Sequence, residues 1–252
     1  MITIDGSLKI FGTEGSGHQK KAWLNKQGQN YLIKINSKYR EALKEQDASI
    51  ILRACGVDAV EYKAIKVNLY GSERNACICK SFLRDKEFTI TLSKILEDTD
   101  IGMNESARSY MNKAIKAVNS ELGIQDEIIY NYFMYILTAD YLLMNTDRHL
   151  SNIEFIYSEA GWKLAPLFDF GQSFLNKDGI KSVKQFKLEE RAFKTLPFSR
   201  NPEKNLVDIN YAKQIAVYML EKLGGLQRVD SLGINSYHGF VFKQRINRLL
   251  SL

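Results

Sequence analysis

An aspartate and an asparagine five positions apart, Asp147 and Asn152, followed by Asp169-Phe170-Gly171, constrain this chain more than any other feature. They stand in and after the stretch Asn145-Thr146-Asp147-Arg148-His149-Leu150-Ser151-Asn152. The pattern suits transfer of a nucleotide's terminal phosphoryl group. That reaction needs an acid to orient a hydroxyl and take its proton, and oxygen ligands for the magnesium that bridges the phosphates. Asp147 is the expected base, and Asn152 and Asp169 are the expected metal ligands. Magnesium prefers carboxylate and amide oxygens, and manganese accepts the same donors. A solvated turn beside an unrelated acidic strand end is the bland alternative, and chance rarely sets two such patterns so close together.

The first third of the chain reads as strands with one helix inserted. A short strand is expected over 7–11, then the loop Gly12-Thr13-Glu14-Gly15-Ser16-Gly17. Glycines there allow sharp turns and let backbone N–H groups approach an anion, so Gly15, Ser16 and Gly17 are candidate phosphate contacts. Strands over 21–25 and 31–36 form a hairpin around Gly28, and Lys34 in the second is the candidate lysine for the α- and β-phosphates. A helix is expected over 39–54, with Ser37 as its N-cap and Gly56 as its stop. Glu41 and Glu45 lie one turn apart on it, and Glu45 is the expected partner of Lys34. Two more strands, over 57–70 and 75–82, flank a turn at 71–74. Residues 81–85 then form a hinge with backbone groups for the adenine.

From Thr89 onward the pattern becomes helical: a short helix near Ile95, then helices over 105–122 and 126–144. The last is apolar almost all round, the mark of a helix buried in a core, and it delivers Asn145 to the cleft. Asp140 inside it needs partners, and the catalytic loop can supply them. Asn145, His149 and Asp140 are therefore expected to support the site, His149 as a ring anchoring the loop. The role of Arg148, toward a phosphate or a carboxylate, stays open. A hairpin over 153–157 and 162–165 places Asn152 and Asp169 at one end of adjacent strands. Residues 176–187 are polar, in the position of an activation segment, and 189–194 suggest a helical turn. Helices over 206–223 and 234–252 close the lobe, the last carrying Lys243, Arg245 and Arg248 on a solvated face.

Composition narrows the classes. The 252 residues suffice for one large domain or two small lobes. The fold class expected is α+β: a bilobal, protein-kinase-like fold with an antiparallel-sheet N-lobe (1–84) holding one helix and a mainly helical C-lobe (85–252). No apolar run reaches bilayer-crossing length and the first residues lack a signal-peptide pattern, so no membrane partner and a cytoplasmic location are expected. A net charge of +6, spread along the chain, suits a nucleotide and is too diffuse to argue for nucleic acid. Cys55, Cys77 and Cys79 show no zinc spacing, and Cys77 and Cys79, on one face of a strand, are expected to be small buried apolar groups.

These residues resemble the HipA-like kinases, a bacterial protein-kinase-fold family known for serine/threonine kinases of toxin–antitoxin systems. The resemblance rests on 145–152 (NTDRHLSN), 165–171 (APLFDFG) and 31–34 (YLIK), with looser likeness at 45–56 and at Leu196-Pro197-Phe198. It implies Asp147 as acid/base, Asn152 and Asp169 as metal ligands, Lys34 and Glu45 as an ion pair, and ATP with Mg2+ as cofactors. It also implies a protein substrate, and a serine in the glycine-rich loop, here Ser16 with Thr13 behind it, as a candidate for autophosphorylation. The chain looks like a minimal core, without the extra amino-terminal strands of HipA itself and without a helix-turn-helix, so any antitoxin would be a separate protein. Three other readings share the pattern: a phosphoinositide-type lipid kinase, a small-molecule phosphotransferase, and a nucleotide-binding pseudokinase.

Overall fold

The computed structural model describes residues 2–4, 10–11, 20–36, 41–102, 105–175 and 183–252. Six strands form the first lobe: β1 (Ile2–Ile4), β2 (Ile10–Phe11), β3 (Lys20–Lys26), β4 (Gln29–Ile35), β5 (Tyr62–Leu69) and β6 (Ser72–Lys80), in the order β1-β5-β6-β4-β3-β2. Only β1 and β5 run parallel. Gln27 and Gly28, at φ 53° and 80°, make the two-residue turn of the β3–β4 hairpin. The β5–β6 turn sits on Tyr70 and Gly71, with φ 49° and 83°, one residue before the turn expected at 71–74.

β1 and β2 are the two edges of this sheet, yet only five residues join them. Six residue steps reach at most about 22 Å, whereas a flat six-stranded sheet is about 24 Å across. The sheet must curl. Its alternating residues divide accordingly. Ile4, Ala22, Ile33, Ile35, Val67, Leu69 and Ala76 form a buried cluster on one face. The other face carries Lys21, Leu32, Lys34, Cys77 and Cys79 toward the helix and the cleft. Cys77 and Cys79 are buried and reduced, as expected, and Cys55 is buried and reduced too.

Helix α1 (Glu41–Ala54) packs under that second face. The expected cap, Ser37, lies outside the described residues; the Asn36 side chain accepts from the N–H of Ala42. Ala42 joins the small cluster with Val60, Tyr62, Cys77 and Cys79, whereas Ala48, Ile51, Leu52 and Cys55 belong to the large core of the second lobe. One helix therefore enters both cores. The strand expected from Val57 begins only at Tyr62, because the backbone at 58–60 is engaged elsewhere. Leu167 N–H donates to Asp58 O and Val60 N–H to Leu167 O, both at 2.9 Å, forming a parallel bridge to the second lobe.

The second lobe comprises β7 (Phe88–Thr91), α2 (Leu92–Ile95), α3 (Ala107–Leu122), α4 (Asp126–Leu143), β8 (Glu154–Ser158), β9 (Gly161–Leu164), α5 (Val183–Arg191), α6 (Pro202–Asn205), α7 (Ile209–Leu223) and α8 (Ser236–Ser251). Three expectations need correction. The segment around Thr89 is a strand, β7, which joins the β8–β9 hairpin in a three-stranded sheet with the rings of Phe88, Tyr157 and Trp162 in register. The end of the polar stretch 176–187 is helical rather than irregular: α5 starts at Val183, buries Phe186 and runs on into the helical turn expected from Glu189, ending at Arg191. The basic residues of α8 do not share one solvated face. Arg245 is 2% exposed, its guanidinium 3.7 Å over the Tyr141 ring, with Nη1 on Glu190 and Nε on Tyr141 O. Lys243 pairs with Asp230 and Arg248 with Glu203, so no free basic stripe remains on this helix.

Candidate active site

β4 directs Lys34 away from the curled face and into the space between the lobes, where it is 2% exposed. Its Nζ donates to Glu45 Oε1 on α1 and to Asp169 Oδ1, each at 2.7 Å, and lies 4.9 Å from the Tyr62 ring centroid. Burial works against this ammonium, but Asp169 and Glu45 outweigh it and hold its pKa well above the usual lysine value. Burial likewise opposes charge on Asp169, yet Lys34, then Lys21 and Arg148, hold that carboxyl well below its usual range. Glu45 goes the other way, pushed up by burial against the pull of Lys34. Of the two acids facing Lys34, Asp169 is thus the firmer anion.

Asp169 has φ 64°, a left-handed conformation that a non-glycine residue holds only when its surroundings fix it. Those surroundings are mostly α1. Glu45 Oε2 accepts from Phe170 N–H at 2.8 Å, Glu41 Oε1 from Gln172 Nε2 at 2.9 Å, and Lys44 Nζ donates to Leu175 O at 3.2 Å. Farther along, Asp47 Oδ2 contacts His238 Nδ1 at 2.6 Å, and that ring stacks on Phe174 with centroids 4.2 Å apart.

The loop 145–152 is built on the end of α4. Met144, at φ 53°, turns the chain out of the helix, and Asn145 N–H returns to Asp140 O. Asp140 is fully buried and accepts from Asn145 Nδ2 at 2.8 Å and from Arg148 Nε and Nη2 at 2.9 and 3.2 Å. Asn145 Oδ1 accepts from Asp147 N–H, and Asn152 Nδ2 donates to Asp147 O at 3.1 Å. That last bond uses the amide nitrogen of Asn152 and leaves its oxygen as the donor for a cation. Asp147 itself is exposed at the cleft, where neighbouring protein and then Asp169 push its carboxyl upward despite the opposing pull of His149 and Arg148. A carboxyl moved that way is a better proton acceptor. His149 departs from expectation. Its residue is exposed, and it ties the loop through its backbone, N–H to Asp147 O and carbonyl to Asn152 N–H, both at 2.9 Å.

Two residues that sequence reasoning left unassigned take part. Arg148 is 1% exposed and donates from Nη1 to both Asn152 O and Phe168 O. Lys21 stands opposite Lys34 in the β3–β4 ladder and helps to hold Asp169 low, whereas burial raises Glu154 in spite of it. The register of the hairpin was the signal, since cross-strand partners share a face. Gly15, Ser16 and Gly17 lie outside the described residues. Beside the hinge, a cavity of about 940 Å³ is lined by Trp23, Asn25, Ser81, Phe82, Leu83 and Arg84, among others.

Among the described residues no group of three or more His, Cys, Asp and Glu could hold a metal ion. The donor set instead offers one carboxylate, Asp169, and one amide oxygen, Asn152, with Arg148 tying their two segments together. That suits a magnesium ion completed by water and phosphate oxygens.

The family description "HipA-like C-terminal domain" matches residues 13–222. The chain belongs to that family. No curated protein sequence matches it. Among solved structures, this HipA-like chain is similar to the Helicobacter pylori proinflammatory kinase CtkA, with 14% identity and a TM-score of 0.67 over 99% of this chain and 94% of that one. It is also similar to HipA of Shewanella oneidensis, solved with HipB and operator DNA, with 11% identity and a TM-score of 0.53 over 95% of this chain and 64% of that one. The HipA-like domain described here thus has a kinase-like fold of α+β class, with its antiparallel-rich sheet and its helical lobe meeting at Lys34 and Asp169.

Proposed function

We propose that this chain is an ATP- and Mg2+-dependent protein kinase that phosphorylates serine or threonine hydroxyls. The observation that carries the reading is Lys34 bonded at once to Glu45 on α1 and to Asp169, both at 2.7 Å. A kinase needs that ion pair and that aspartate assembled together before it can act. Asp147 orients the acceptor hydroxyl and takes its proton as the oxygen bonds to the γ-phosphorus and the bond to the β-phosphate oxygen breaks, releasing ADP. Lys34 and Lys21 bring positive charge to the phosphates. Asn152 and Asp169 would hold magnesium, which supplies charge neutralisation at the β- and γ-phosphates. The hinge at 81–85 and Trp23 border the space for the base.

The acceptor is proposed to be a protein, as for the HipA-like kinases, and the setting cytoplasmic. Among the described residues no helix is long and apolar enough to cross a membrane. The Shewanella HipA was solved with HipB, the antitoxin of its toxin–antitoxin system; a toxin role with a separate antitoxin is the corresponding proposal here. Ser16 is the proposed autophosphorylation site. A phosphate there adds nearly two negative charges where the nucleotide's phosphates belong, and would shut the enzyme off by repulsion.

The test is incubation of purified protein with labelled ATP and magnesium, offered a protein extract, phosphoinositides and aminoglycosides in parallel. Label on protein that disappears with Asp147→Ala is the expected result. Label on lipid or drug selects another acceptor, and no label with bound nucleotide makes the chain a pseudokinase. Intact-mass analysis of the same sample reads Ser16: the added phosphate should vanish in Ser16→Ala.

A further inference from the structure

We infer that Arg148 sets the spacing of the two metal-holding side chains, so that it governs affinity for the divalent cation rather than for the nucleotide. This rests on the kinase reading of the cleft and adds a positioning residue to it. One nitrogen of Arg148, Nη1, donates to Asn152 O at 2.9 Å and to Phe168 O at 2.7 Å. The first carbonyl belongs to one proposed metal ligand, and the second belongs to the peptide unit leading into the other, Asp169. The two oxygens therefore stand no farther apart than those two bonds laid end to end. The remaining donors, Nε and Nη2, grip both oxygens of Asp140, which α4 holds wholly buried.

The guanidinium also lies 4.7 Å from the Phe170 ring centroid, on the other side of Asp169 in the chain. A planar fork makes all these contacts at once, and a lysine ammonium of similar charge cannot. Burial works against the charge of Arg148, but Asp140 outweighs it and keeps the guanidinium protonated. Asp169, held at positive φ, has its own anchors on α1, whereas Asn152 has none there. The β8–β9 pairing brings the two segments together, and Arg148 is the side chain that bonds the carbonyl of Asn152 and the carbonyl before Asp169 at once. An octahedral magnesium tolerates little error in that relation, because its ligands must sit close to ideal positions.

The experiment compares wild type with Arg148→Lys and with Asp140→Asn, which leaves the arginine in place but weakens its seat. Mn2+ binding to the full chain with a non-hydrolysable ATP analogue is followed by electron paramagnetic resonance. Analogue binding in EDTA is followed separately, with a melting curve for each protein. The expected result is a tenfold or greater weakening of Mn2+ binding in both variants, with metal-free analogue affinity within twofold of wild type. Magnesium titration of any phosphoryl transfer should show a matching rise in half-saturation, with kcat largely restored at high magnesium. Should Arg148→Lys fail to fold, Asp140→Asn alone decides. Unchanged Mn2+ affinity in the folded variants, or equal losses with and without metal, overturns the inference while leaving the kinase reading intact. A wild type that binds analogue but no Mn2+ overturns both.

Discussion

Replacing Lys34 with methionine preserves side-chain length and removes the ammonium on which Glu45 and Asp169 converge. Removing one partner of a buried ion pair costs about 3–5 kcal/mol, because the other charge stays behind without compensation. Glu45 is fully enclosed, but the Asp169 side chain keeps 25% of its exposure, so water relieves part of the loss. The lower end, about 3 kcal/mol, is therefore expected at neutral pH. For a chain of this size that corresponds to a melting point lower by about 6–12 °C.

The pH dependence sharpens the test. In wild type, Lys34 depresses Asp169, so the stability it contributes is present above the ordinary carboxylate value near 4 and is lost as pH falls through the depressed value. Without Lys34, burial raises Glu45 further against only the Phe170 N–H, while Lys21 and Arg148 still pull on Asp169. The native variant then binds protons that its unfolded chain has released, and its stability declines as pH climbs from about 4 toward neutrality. Urea denaturation at several pH values between about 4.5 and 7.5 should show the two stabilities diverging upward in pH. A gap under about 1 kcal/mol at neutral pH, the worth of an exposed pair, or a gap indifferent to pH, would refute the reasoning.

Asp147→Asn should cut phosphoryl transfer by about 10²- to 10⁴-fold with analogue binding retained; transfer at wild-type rate would remove Asp147 from the chemistry. Arg245→Met should destabilise the fold by about 3 kcal/mol or more, whereas Lys243→Ala should change it by less than about 0.5 kcal/mol. Chemical denaturation that reversed this order would mean that α8 presents Arg245 to water after all. Trp23 is 42% exposed beside the hinge cavity, so saturating nucleotide should alter its fluorescence, and Trp23→Leu should abolish the signal, leaving Trp162 unmoved. An emission spectrum indifferent to nucleotide would take Trp23 out of the base site.

The site was legible in the sequence to the extent that its chemistry is local. Asp147 to Asn152 is a fixed spacing within one loop, and α4 reads as buried because its apolar residues cover every side. The Lys34–Glu45 pair could also be drawn, since a strand lysine and a helix glutamate eleven residues on are close along the chain. Arg148 stayed open because its carbonyl partners leave no mark in the sequence. Arg245 misled for a related reason: its helix carries other cations that do face outward, and only the Tyr141 ring beneath it and Glu190 from α5 make burial tolerable. β7 was missed because four residues leading straight into a helix carry too little periodicity to distinguish the two states.

Helix α1 is gripped along its length, by Gln172 at Glu41, by Leu175 at Lys44, by Phe170 at Glu45 and by His238 at Asp47. A rod pinned at four points by the opposite half of the molecule does not swing as a lever. Switching by outward rotation of this helix would sever all four attachments and strip apolar surface from two cores at once. A brake on this molecule has to plug the cleft or deny it its ligands.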